Sequence, residues 1–226
     1  MDTTTIMQMV LRWIHLLSGI TWIGILYFFN LVNVPFMKAL DGPTKGKVIP
    51  NLMPRAMWYF RWGAVVTVLS GLVYFVWIVT AEAGSHAALG IWLVTVLIAW
   101  AIMYVLIEVQ KVNNGNVLAG VFAVLVAAMA YVIVSFAGFA SSRSISIGVG
   151  GGIGLLMFLN VWGIIWRHQK RIIAWTKENA EKGTAIPPDS AAMGRRAFLA
   201  SRTNAWLSIP MLFFMGSASH LPLFGG

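Results

Sequence analysis

Charged residues are spaced so that six long stretches of the chain contain none: 13–37, 62–81, 83–107, 112–142, 144–166 and 203–226, which are 25, 20, 25, 31, 23 and 24 residues long. A helix rising about 1.5 Å per residue needs ~20 residues to cross the roughly 30 Å hydrocarbon layer, and every stretch reaches that length. Lipid offers no water to unpaired backbone groups, and the stretches lack the polar/apolar alternation of a barrel strand, so each is expected to be a helix. Composition agrees: 59% of the chain is hydrophobic and 10% charged, where a soluble domain carries about 25% charged residues. A water-soluble enzyme is thereby excluded. The expectation is an all-α integral membrane protein, a single polytopic domain over 1–226, with helices at about 6–32, 57–81, 86–108, 115–140, 145–167 and 203–224.

The net charge of +9 would suggest nucleic acid in a soluble protein, but its placement points to topology instead. With the N-terminus outside, 13 of the 16 basic residues fall in the inner loops, from Lys38, Lys45, Lys47 and Arg55 through Lys111 to Arg167 and Arg202. That asymmetry is the positive-inside pattern, and it predicts both termini outside and the bacterial inner (plasma) membrane as the location. Arg12 and Arg143 fall outside, while Arg61 snorkels at the inner end of helix two. The basic surplus also suits anionic inner-leaflet lipid. No basic residue precedes Arg12 and no small-residue cleavage site follows the first apolar run, so the first helix is expected to stay. The absence of cysteine excludes disulfides, iron–sulfur ligation and covalent haem attachment within these residues.

Two long loops are expected, both cytoplasmic. Residues 33–56 contain Pro35, Pro43, Pro50 and Pro54, which interrupt regular helix. Through the loop 168–202, the run that opens at Arg167, RHQKRIIAWTKENAEKG, continues helix five as an amphipathic extension that ends at Gly183, and Pro187 and Pro188 then turn the chain toward a segment capped by Asp189 or Ser190. Trp13, Trp58, Trp92 and Trp166 are placed for interfacial belts. The glycines at 148, 150, 151, 152 and 154 form a close-packing surface of the small-xxx-small type, or let a flat macrocycle approach the backbone. Glu108 lies three residues from Lys111 and reads as half of a helix-end ion pair.

Ionisable residues at membrane depth are by default candidates for function. His15 in helix one, His86 at the start of helix three and His220 near the end of helix six all fall on the outer side, whereas His168 lies in a basic run and is expected to be solvated. If helix one begins near Ile6, His15 lies about 14 Å below its outer end and His220 within about 9 Å of the C-terminus, so the depths are comparable. Two neutral imidazoles on facing helices could fill both axial positions of a b-type haem, a closed arrangement suited to electron transfer. Arg12, one turn outward from His15, could pair with a propionate, and Gly19, one turn inward, could admit the macrocycle. The competing readings are a His15 that only hydrogen-bonds a neighbouring helix, and a zinc or copper site built from His15, His86 and His220.

Three segments carry a resemblance. LRWIHLLSGITWIGILYFF (11–29), NVWGIIWRHQK (160–170) and SRTNAWLSIPMLFFMGSASHLPLF (201–224) resemble the membrane domain of the membrane-bound urate oxidase (urate hydroxylase) family, in which a polytopic domain is commonly followed by a cytochrome c domain. A first-helix histidine followed by Trp22-Ile23-Gly24 is also similar to the b-haem helix of small membrane protoporphyrinogen oxidases and copper-resistance proteins. The resemblance nominates His15 and His220, with Asn204, Ser208 and Pro210 as motif neighbours of unassigned role. The sequence has no CxxCH domain, so the electron outlet that the resemblance implies is expected to be a separate cytochrome c docking on the outer face. Three functions follow as expectations: a haem b electron-transfer protein, serving as a subunit of a respiratory or photosynthetic complex; a cofactor-free accessory or scaffold subunit of a larger membrane complex; and a urate-oxidising oxidoreductase.

Overall fold

The computed structural model describes residues 2–82 and 86–224, with the side chain of His86 outside the description. Among the described residues six helices pack side by side: α1 (Thr3–Ala39), α2 (Gly42–Glu82), α3 (His86–Tyr104, extended by a π-helical turn Val105–Val109), α4 (Gly115–Phe136), α5 (Ser142–Lys182) and α6 (Ser190–Ser217). The first five are long and apolar enough to cross a membrane, and α6 has 28 residues. α5 is the axis of the bundle. Its most apolar stretch is 72% buried, against 28–33% for the other four spans, and it packs against α2, α3, α4 and α6.

Close approach to α5 is made possible by its glycines. A side chain on Gly148 would begin 2.8 Å from the Phe139 ring, and one on Gly150 would begin 3.1 Å from Phe214 Cβ. Gly152 stands as close to Val96 of α3, so the run is a helix-packing surface.

Several sequence expectations are corrected. Residues 33–56 are not a proline-broken loop: α1 runs to Ala39, α2 starts at Gly42, and only Leu40 and Asp41 lie between them. Each proline removes one backbone donor, but Pro43 sits in a first turn where the donor is unneeded, and Pro50 and Pro54 lie where α2 packs along α5. Pro35 lies two residues after a π-helical turn, Phe28–Asn33, whose wider winding leaves room for the ring against the preceding turn. α6 begins at Ser190 rather than near 203, with Asp189 as its N-cap residue. The amphipathic extension of α5 ends as expected at Gly183, whose φ of 70° is the left-handed conformation favoured at a helix C-terminus.

Arg61 does not snorkel at a helix end either. It lies well inside α2, and its guanidinium sits 3.5 Å from the centroid of Trp166 on α5. Trp92 is buried and donates to Gly148 O at 2.7 Å, while Trp13 and Trp58 remain exposed on the lipid-facing surface.

Candidate functional site

Of the nominated residues, His15 has the most defined surroundings. Its Nδ1 lies 2.8 Å from the backbone oxygen of Thr67 on α2; a carbonyl only accepts, so Nδ1 carries the proton and Nε2 is left with its lone pair. The ring fits into α2 over Gly71, where an added Cβ would stand 2.7 Å from His15 Cε1. Ser18, one turn along α1, receives the Thr67 hydroxyl at 3.0 Å and extends the polar seam. Gly19 faces the same seam, with the Thr67 methyl 3.7 Å from where its side chain would begin. Arg12 is exposed one turn away. An imidazole whose Nδ1–H is held by a backbone carbonyl and whose Nε2 is free is the usual state of a metal-ligating histidine.

His220 lies in the turn that follows α6, is exposed, and is anchored by its own N–H on Ser217 O at 2.9 Å. Its level relative to His15 follows from the pairing of α1 with α6. Tyr27 Oη meets Ser208 Oγ at 2.9 Å, and Asn30 Nδ2 donates to Ser201 Oγ at 3.0 Å, so the helices run antiparallel. His15 and His220 each lie twelve positions beyond the Tyr27–Ser208 contact toward the same end, about 18 Å along α1 for His15 and three residues past the end of α6 for His220. The two histidines therefore lie toward the same end of the bundle, with His15 turned onto α2 and His220 on the exposed turn. The three-histidine zinc or copper alternative depends on His86, whose side chain lies outside the described residues. Among the described residues no group of three or more His, Cys, Asp or Glu could hold a metal ion.

Two polar features were missed in the sequence. The first is a ladder on one face of α6, formed by Ser201, Asn204 and Ser208. Asn204 is fully buried, accepts from Asn160 Nδ2 at 2.9 Å and donates to Met157 O at 2.9 Å, while Ser201 and Ser208 hold α1. The residues of the 201–224 motif thus join α1, α5 and α6. Their spacing of three and four was visible, but nothing indicated which helices they would face.

The second is Glu108–His168. His168 is buried rather than solvated, and its Nε2 lies 2.6 Å from Glu108 Oε1, so Glu108 pairs with α5 and not with Lys111. The buried stripe of α3, Ala88, Trp92, Val96, Ala99, Met103 and Ile107, follows helical spacing. The π turn, closed by Gln110 N on Val105 O at 2.8 Å, then brings Glu108 into line five residues after Met103. A second π turn, Val161–Ile165, precedes His168 on α5. Regular 3.6-residue periodicity could not predict either rotation.

The family model for the urate oxidase N-terminal region matches residues 41–225. Searches of curated proteins and of solved structures found no match. The matched span includes Glu108, His168, the α6 ladder and His220, with α1 and His15 ahead of it. It covers most of the 226 residues, and two of the three motif segments lie inside it. The chain belongs to the urate oxidase N-terminal family.

Proposed function

We propose that this membrane domain of the urate oxidase family is a b-type haem electron-transfer unit in the bacterial inner membrane, with His15 and His220 as axial ligands, that passes electrons to a cytochrome c. The observation carrying this reading is the His15 Nδ1–Thr67 O hydrogen bond, which holds the ring in the tautomer that presents Nε2 as a ligand. A bound haem supplies reversible one-electron storage inside the apolar phase. The chain's own residues do the rest. Thr67 and Gly71 orient the His15 ring, Gly19 keeps the α1–α2 seam close, and exposed Arg12 offers a cation one turn away for a propionate carboxylate. His220, on the exposed turn after α6, would supply the second imidazole at the end where a soluble partner would dock.

The test is the reduced-minus-oxidised visible spectrum of protein purified from haem-supplemented cells. A b-type difference spectrum that is lost in both His15→Ala and His220→Ala supports the proposal, and a colourless protein with no extractable haem overturns it. Urate-dependent reduction of that spectrum in membranes would extend the reading to urate oxidation. A second reading, a cofactor-free accessory subunit, rests on the first half of α1, where Trp13, Leu16, Leu17 and Ile20 are exposed and no residue before Trp22 is buried. Under that reading His15→Ala leaves complex assembly and activity unchanged.

A further inference from the structure

Three ion pairs occur among the described residues. Two are exposed i,i+4 pairs on α5, Lys177–Glu181 and Lys182–Glu178, at 3.8 and 3.7 Å. The third, His168–Glu108 at 2.6 Å, has side chains only 4% and 8% exposed and joins two helices at the point where each has just made a π turn. Single π turns inside helices are concentrated at functional sites, and buried ionisable pairs within a membrane domain are costly unless they are used.

The ring nitrogen that faces away from Glu108 sets this pair apart from His15. His168 Nδ1 is buried without a hydrogen-bond partner among the described residues. A proton can be added there or removed without breaking any bond the protein makes, and the Nε2–carboxylate contact persists in both states. At His15 the corresponding nitrogen is tied to a carbonyl. The surface is near in sequence on both helices: Val109, Gln110 and Lys111 directly after Glu108 are exposed, and so is Arg167 beside His168.

The other charged groups on the surrounding elements are mostly cationic and mostly engaged. Arg167 donates to Tyr104 Oη at 2.7 Å, Arg195 of α6 to Asn113, and Arg55 of α2 to a backbone oxygen, while Arg61 stacks on Trp166. Lys111, with Lys45 and Lys47 of α2, Lys170, Arg171, Lys177 and Lys182 of α5, and Arg196 and Arg202 of α6, completes the basic set at this end, and the only other carboxylates on α5 are the two in its exposed pairs.

We propose that Glu108–His168 is a proton-exchange site serving the basic end of the bundle. With Nε2–H donated to the carboxylate, Nδ1 holds a lone pair. A hydronium ion entering at the end of α3 transfers its proton to Nδ1 and leaves as water, raising the charge of the pair by one, and release is the reverse. No oxidant or metal takes part, so the proposal stands or falls independently of haem.

The test is nitrogen NMR of the protein in lipid nanodiscs, labelled at its four histidines, with the His168 signals identified by their disappearance in His168→Gln. The expected result is a reversible titration of His168 Nδ1 with bath pH while Nε2 stays protonated, and a loss of proton affinity of about tenfold, one pH unit, in Glu108→Gln. Two results overturn the proposal: an Nδ1 signal unchanged between about pH 5 and pH 8, or identical titration in folded Glu108→Gln. If that variant does not fold, the wild-type titration still decides.

Discussion

At the residue scale the candidate haem site depends on one notch. Gly71 lies against the His15 ring so closely that a single added carbon cannot fit without moving it. Gly71→Ala is expected to push the imidazole off Thr67 O, cost about 1–3 kcal/mol as overpacking does, and abolish any b-type absorbance. Gly90→Ala, where nothing stands within 4 Å of the new carbon, leaves both unchanged. Absorbance and thermal melts of the two variants check this. In the α6 ladder, Asn204→Leu removes the partner of both Asn160 and Met157 O, and a loss of about 1 kcal/mol is expected for such a bond between membrane helices. Asp41 sets a pH-dependent case at the start of α2. Its carboxyl accepts the Thr44 backbone N–H at 2.7 Å, and hydrogen bonding by Thr44 holds its pKa below the ordinary 3.8. The cap's contribution is therefore complete above that ordinary value and disappears as pH falls through the lowered one. Hydrogen exchange of the Thr44 amide should lose protection over that acid window, and Asp41→Asn should remove the dependence.

At the element scale the structure departs from a plain bundle at its π turns. Each of the three packs against α6, and two of them aim Glu108 and His168 at one another. Deleting one residue from Val161–Ile165 would restore α-helical winding and leave the residues after it facing as they do, because the π turn absorbs one extra residue, whereas deleting Ala174 from regular helix would rotate everything after it by about 100°. The chain has no native cysteine, so this rotation can be read by crosslinking. A Cβ on Gly46 of α2 would lie 3.4 Å from Ala180 Cβ on α5, close to disulfide spacing. Gly46→Cys combined with Ala180→Cys is expected to crosslink on mild oxidation, deletion within Val161–Ile165 is expected to keep the crosslink, and deletion of Ala174 is expected to prevent it. A crosslink lost on deletion within Val161–Ile165 would show that the π turn is not an absorbed extra residue of α5.

For the whole molecule, α5 is the element on which the others converge, and its glycine face sets how near they come. Gly150→Leu would drive α6 outward from Phe214 and Met211 and is expected to destabilise the bundle by at least ~1–3 kcal/mol, visible as a lowered Tm in detergent. Orientation can be tested on intact cells: Lys47→Cys should react with membrane-impermeant reagents only after the inner face is opened, and Ser219→Cys should react from outside. The reverse pattern would invert the topology expected from the basic residues. The number of helices and their lipid-facing character were legible in the sequence, because the length of an uncharged stretch and the thickness of a bilayer are both one-dimensional quantities. The resemblance also pointed to the right family, through segments that now prove to hold a π turn and the α6 ladder. The extent of α2 and α6, the burial of His168 and the choice of Glu108 over Lys111 as neighbour could be decided only in three dimensions. Prolines end a helix unless another helix packs beside it, and a residue's facing direction follows regular spacing only until a π turn rotates it.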